Sequence, residues 1–195
     1  MSRRTNPLAL VFLAATTAAA TGQTVINFDN LNNNDVVTNQ YPGVTFSSSA
    51  GNQNYAINRP GSAHTAPNIL CSGPIGGLDC IQDTYIDFST PVNNLTFWAI
   101  EANVVGVTAQ FNVYENNAFS TTVDLHSSGG KGNMEFVDLT AFNNVTRVEI
   151  VNILVAFDEQ GIGWDTFRYY SVPAPGTLGA IAIGGLLAAR RRRIA

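Results

Sequence analysis

Carboxylates carry the first chemistry that these residues suggest. Asp29 directly follows the run Thr24–Phe28 (TVINF) near one end of the chain, and Asp165 sits in Gly161–Phe167 (GIGWDTF) near the other. If the first and last strands of a sandwich lie side by side, the two carboxylates can share a calcium ion with backbone carbonyls, since calcium takes roughly six to eight oxygen ligands. Asp158 and Glu159, just ahead of GIGWDTF, are further candidate ligands. No other metal or cofactor is implied. The histidines, His64 and His126, both fall in Gly/Ser-rich stretches. A Ser-His-Asp grouping assembles in space rather than in sequence, but the chain has no G-x-S-x-G elbow, no H-E-x-x-H pair and no phosphate loop. No spacing among the fourteen acidic residues singles out the pair that glycoside hydrolysis needs. No catalytic residue is therefore assigned. Tyr41, Tyr55, Tyr85, Trp98, Tyr114, Trp164, Tyr169 and Tyr170 offer flat faces for sugar rings, although rings in strands more often fill the core or pair across strands. Tyr55 stands apart, because it lies in a long irregular stretch.

The elements that must position these groups read as strands. The central part of the chain is rich in Val, Thr, Phe, Ile, Asn, Gly and Ser, and no window sustains a helical period. Strands are predicted at Thr24–Phe28, Val36–Thr38, Gly43–Ser47, Thr84–Phe88, Leu95–Ile100, Val107–Tyr114, Ser120–Leu125, Met134–Leu139, Val145–Val151 and Gly163–Tyr170. Leu95–Ile100 is almost wholly apolar, as a central strand should be. In Val107–Tyr114 the apolar set Val107, Ala109, Phe111 and Val113 alternates with Thr108, Gln110, Asn112 and Tyr114. Glu115-Asn116-Asn117 closes a hairpin, Ser48–Leu78 reads as a long loop, and His126–Asn133 reads as a turn. The expected fold class is all-β, a single β-sandwich of jelly-roll type. The expected core contains Phe28, Phe46, Ile86, Phe88, Phe97, Phe111, Val113, Val123, Val148, Ile150 and Phe167.

The two ends differ in kind from this middle. Arg3 and Arg4, the apolar run Leu8–Ala15 and the small residues Ala18–Ala20 and Gly22 read as a secretory signal peptide over residues 1–22. Residues 172–195 read VPAPGTLGAIAIGGLLAARRRRIA. An uncharged stretch of about eighteen residues ending in four arginines is a short membrane span, stopped by cations held at the headgroups. Residues 23–171 remain as one ectodomain. Six of the ten basic residues lie in the two ends, so this part carries four basic and fourteen acidic groups, a net charge of 4 − 14 = −10. Such a surface repels nucleic acid and suits hard cations or neutral sugars. Cys71 and Cys80, with the eight residues of a Gly-rich loop between them, are expected to form a disulfide in an exported chain. Asn94-Leu95-Thr96 and Asn144-Val145-Thr146 match the N-glycosylation pattern but read as incidental to an Asn-rich composition.

The order of Val172-Pro173-Ala174-Pro175, a short apolar run and Arg190, Arg191, Arg192 and Arg193 at the extreme end resembles the PEP-CTERM sorting signal. Ala174 stands where that family most often has Glu. The resemblance implies recognition by an exosortase, a membrane protease-transferase that removes the tail and passes the ectodomain to the cell surface or matrix. More loosely, INFDNL, QYPGVTFSS, DFSTPVNNLTFWA and GIGWDTFRYY resemble ectodomains found ahead of such signals, which are similar to galactose-binding-like and carbohydrate-binding-module jelly rolls. Together these imply an exported, non-enzymatic surface protein with a structural or adhesive role and weak carbohydrate binding. Its expected partners are the exosortase, the lipid bilayer and extracellular polysaccharide. The alternative is a secreted hydrolase of polysaccharide or ester bonds.

Overall fold

The computed structural model describes residues 22–74, 79–152 and 161–173. They lie almost wholly in one compact unit, Thr21–Val172. Ten strands follow in order: β1 (Thr24–Ile26), β2 (Val44–Ser48), β3 (Asn52–Asn58), β4 (Asn68–Pro74), β5 (Thr84–Ile100), β6 (Gly106–Glu115), β7 (Ala118–Ser127), β8 (Met134–Leu139), β9 (Val145–Asn152) and β10 (Gly163–Ser171). No described residue is helical.

β5 makes the sandwich. Its first half pairs with β2 on one side and β9 on the other. Its second half pairs with β8 and β10. One layer therefore runs β3-β4-β10-β5-β8, with β1 beside the end of β10, and the other runs β2-β5-β9-β6-β7. The predicted strands Thr84–Phe88 and Leu95–Ile100 are thus one seventeen-residue strand. The Pro91-Val92-Asn93-Asn94 stretch that suggested a break is where the strand bends from one layer to the other, marked by a register shift and by Asn94 at φ 54°.

The apolar alternation of each layer points inward and meets the other. Phe111 of β6 lies 5.3 Å from Phe97 of β5 and 5.9 Å from Trp164 of β10. Phe46 of β2 lies 5.8 Å from Phe167. Each such ring contributes on the order of 1.5–3 kcal/mol by burial. Every expected core residue is buried except Val123, which only packs against the core from the edge.

Four expectations need correction. The predicted loop Ser48–Leu78 contains the β3–β4 hairpin, two seven-residue strands in register from Asn52↔Pro74 to Asn58↔Asn68. Its inward positions include the polar Asn54, Asn68 and Ser72, all buried, so no alternation of apolar residues marks it. Val36–Thr38 forms only an isolated bridge, Val36↔Tyr55. His126 and Ser127 belong to β7 rather than to the following turn. Thr108 points inward, because a bulge between Val107 and Ala109 shifts the parity of β6. At the β6–β7 turn Asn116 and Asn117 take φ of 50° and 65°, the left-handed pair that a two-residue hairpin demands. Asn94 and Asn144, both at φ 54°, likewise serve backbone geometry, to which asparagine is suited.

Candidate functional site

The outer face of the β5–β9–β6 layer carries a groove. Neighbouring strands put Tyr85 and Asp87 (β5), Arg147 and Glu149 (β9), and Asn112 and Tyr114 (β6) side by side, in the register Tyr85↔Glu149↔Asn112 and Asp87↔Arg147↔Tyr114. Arg147 organises them. Its Nε donates to Glu149 Oε1 at 3.0 Å and its Nη1 to Asp87 Oδ1 at 3.1 Å. Its guanidinium carbon lies 5.2 Å from the Tyr85 ring centroid, a cation–π arrangement. Glu149 Oε2 accepts from the Tyr114 hydroxyl at 3.0 Å and from Asn112 Nδ2 at 3.4 Å. The hydrogen bond to Glu149 raises the Tyr114 phenol above its ordinary value, and burial does the same for Tyr85, with Asp83 and Glu149 adding to it. Both phenols therefore stay protonated and remain donors.

The groove has a volume of about 530 Å³, and Phe88, Asn117 and Thr146 complete its lining. The exposed Phe119 meets Tyr114 edge to face at 5.7 Å at its rim. Exposed carboxylate oxygens, guanidinium N–H groups, an amide and aromatic rings in one half-open groove can hydrogen-bond a polyol and pack on its C–H faces.

The other predicted site residues form a separate, buried corner. β1 pairs with β10, as expected for first and last strands, in the register Thr24↔Tyr169 to Ile26↔Phe167. Asp165 is wholly buried. Its Oδ2 accepts from the Thr65 amide at 2.8 Å and its Oδ1 from the Thr166 amide at 2.6 Å. Burial pushes its carboxyl up to about 6; these hydrogen bonds oppose the rise, and the negative charge of Asp29 adds to it. Asp29 Oδ1 accepts from the Asn68 amide at 3.0 Å. Asn68 Nδ2 donates to the carbonyls of Phe28 and Leu31 at 3.2 and 2.8 Å, while its own Oδ1 is buried without a partner. Among the described residues no group of three or more His, Cys, Asp or Glu comes together as a metal cage. Asp158 and Glu159 lie outside the described residues.

His64 packs flat on Trp98, centroids 4.4 Å apart, and its Nδ1 bonds the hydroxyl of the buried Thr166 at 3.0 Å. Burial, then Arg168, holds its pKa below the usual histidine value. His126 is exposed on β7, in the other layer. The glycines of GIGWDTF serve packing. A Cβ at Gly161, where φ is +69°, would collide with the Cys80 carbonyl, and one at Gly163 with the Ile69 side chain. Cys71 and Cys80 are disulfide-bonded with their Cα atoms 4.7 Å apart, tying β4 to the segment ahead of β5.

Of the aromatic candidates, Tyr55, Trp164 and Tyr169 are buried and cannot meet a sugar. Tyr41 packs against the core and bonds Asn30; burial, then Asp29, pushes its phenol up to about 12. Tyr114 lines the groove, and Tyr85 lies beside it against the Arg147 guanidinium. Sequence reasoning missed Asp87, Arg147, Glu149 and Asn112. Their outward positions were visible in the alternation, but the adjacency of β5, β9 and β6 was not. Val172 and Pro173 end the described chain, with the Val172 amide bonded to the Pro91 carbonyl at 2.7 Å. Residues 1–21, Ala174, Pro175 and Arg190–Arg193 lie outside the described residues. No helix among the described residues is long and apolar enough to cross a membrane.

No protein-family model matches the chain, and comparison with curated proteins finds no match. Among solved structures it is similar to the K3 cleaved adhesin domain of the Lys-gingipain from Porphyromonas gingivalis w83, at 16% identity and a TM-score of 0.41 over 77% of this chain and 100% of that one. It is also similar to a family 35 carbohydrate binding module from Clostridium thermocellum, at 10% identity and TM-score 0.39 over 77% and 99%. A third is the tandem CBM22 domain pair of Paenibacillus barcinonensis Xyn10C, at 11% and 0.43 over 85% of this chain and 53% of that one. At such identities and TM-scores the likeness assigns neither ligand nor activity.

Proposed function

We propose that this chain is an exported, non-enzymatic surface protein whose jelly-roll-like domain binds neutral polysaccharide in the Arg147 groove, giving it an adhesive or structural role outside the cell. The observation that carries the binding part is the lattice Asp87–Arg147–Glu149–Tyr114/Asn112, which holds donors and acceptors ready beside aromatic rings. Preorganised side chains lose little entropy on binding. The surplus of carboxylates in and around the groove favours a neutral ligand over an anionic one. The disulfide, the signal-peptide pattern and the tail that resembles a PEP-CTERM signal support export, membrane delivery and an exosortase partner. A glycan array with the wild-type domain and Arg147→Ala tests the binding. Fractionation and intact mass of the mature protein test the rest: a cytosolic product keeping both ends would refute it.

A structural calcium ion at Asp29 and Asp165 belongs to the same proposal. Asp29 lies close enough to raise the buried Asp165, and the unpartnered Asn68 Oδ1 would supply a further oxygen beside them. Melting with excess calcium and with chelator tests it, and equal midpoints would remove the ion.

One observation speaks for a hydrolase: Asp87 and Glu149 are two carboxylates in one groove. The Arg147 guanidinium bonds both and occupies the space between them, where a glycosidic oxygen would have to sit. Binding is the better reading; turnover on a polysaccharide panel would reverse that preference.

A further inference from the structure

Five strands have an open edge, and four of them are defended; β1, which pairs with β10 alone, is only three residues long. The Asn34–Thr38 segment covers two, with Val37 N bonded to Asn54 O and Ala56 N to Asp35 O on β3, and Phe46 N to Thr38 O on β2. β8 is short and carries Glu135 and Asp138 in six residues. Charges and brevity of this kind keep strand edges from pairing. β7 has neither defence. It runs for ten residues, AFSTTVDLHS, with one carboxylate and no Lys, Arg, Pro or Gly. Among the described residues no backbone hydrogen bond reaches its outer edge.

We infer that β7 pairs antiparallel with β7 of a second copy, joining the two β2-β5-β9-β6-β7 layers into one continuous sheet. The strand itself points to a second copy as the occupant. Ser120 is the bulged residue against β6, so the regular run is Thr121–Ser127. Residues directly opposite in an antiparallel pair share a face, so a two-fold pairing must be centred on a residue. Centred on Val123, it places Val123 against its own copy, Thr121 against Leu125 and Thr122 against Asp124. Val123 is the single expected core residue that the fold leaves partly open, and the partner's Val123 closes it. On the outer face each Thr122, whose hydroxyl donates to Asn112 Oδ1 at 2.7 Å, stands opposite an Asp124 carboxylate, of which only Oδ1 is engaged internally, by Gln110 at 2.9 Å. No like charges oppose each other.

The geometry has a functional consequence, which rests on the glycan reading given above. The two-fold axis of an antiparallel edge-to-edge pair stands perpendicular to the sheet. Both Arg147 grooves then open on the same side, and one dimer presents two binding sites to one surface, which raises avidity without any new contact to the ligand.

Sedimentation equilibrium of the Thr21–Val172 unit, whose core is its own, tests the pairing without any sugar. The wild type is expected to show a concentration-dependent dimer. Thr122→Asp, an exposed change that opposes two carboxylate pairs, is expected to be monomeric at the same concentrations. Thr122→Lys, which faces Asp124 with a cation, is expected to dimerise at about tenfold lower concentration. A wild type that stays monomeric throughout would overturn the inference, as would a dimer that the two substitutions leave unchanged or shift in the same direction. Arg147→Ala should abolish glycan binding and leave the dimer intact, so failure of the groove and failure of the pairing read differently.

Discussion

Asp165 and Glu149 each accept several hydrogen bonds, but from different kinds of donor. Asp165 takes backbone amides of Thr65 and Thr166 and is sealed from solvent. Glu149 takes side chains of Arg147, Tyr114 and Asn112 at a half-open surface. A carboxylate that satisfies buried backbone fixes where the chain goes, and its loss is felt as instability. A carboxylate that satisfies side chains at the surface fixes only where those groups point, so its loss is felt by a ligand. The corner therefore holds the fold, and the groove is where the proposed recognition would take place.

The largest effect that can break this contrast is at the corner. Asp165→Ala strands two amide donors, and a loss of about 2–5 kcal/mol is expected in urea unfolding. Proton linkage sharpens it. The Asp165 carboxyl is raised to about 6 when folded, above an unfolded value near ~4, so the folded state binds the extra proton. Without divalent cations, the Asp165 carboxyl should therefore add stability as pH falls from about 6.5 toward ~4.5, by up to roughly 3 kcal/mol, against the opposite contribution of His64, which is held below its ordinary value when folded and so loses stability over the same fall. Asp165→Asn should flatten that rise. Below this window Glu115, Glu135 and Asp138, whose values are lowered by hydrogen bonds, contribute stability that is lost on protonation, so the profile turns over. On the proposal of a calcium ion at Asp29 and Asp165, excess calcium at neutral pH replaces the proton and removes the gain.

Removing the staple beside the corner, with Cys71→Ser and Cys80→Ser together, is expected to cost about 2–3 kcal/mol in the same assay. The groove should behave in the opposite way. Arg147→Ala and Tyr114→Ala are expected to change unfolding free energy by less than about 1 kcal/mol, while lowering glycan affinity at least roughly tenfold. A large stability loss at Arg147 with unchanged glycan binding would erase the distinction.

The sequence made the β5, β6 and β9 faces legible, because apolar residues alternate there with Tyr85, Asp87, Asn112, Tyr114, Arg147 and Glu149. It also made the meeting of the first and last strands, the Cys71–Cys80 bond and nearly all of the core readable. It hid the β3–β4 hairpin, whose inward positions are partly polar. It hid the groove as well, because which strands are neighbours depends on the bend in β5 and not on local pattern. Tyr55 looked like a loop aromatic only because its strand was concealed, and it is buried.

Recognition by the Arg147 groove can be read from the amide resonances of the Thr21–Val172 unit during titration with neutral oligosaccharides. Saturable shifts clustered at Asn112, Tyr114, Arg147 and Glu149 are expected, and they should vanish in Arg147→Ala. Shifts confined to the Asp165–His64 corner, or no shifts with any neutral glycan, would contradict it.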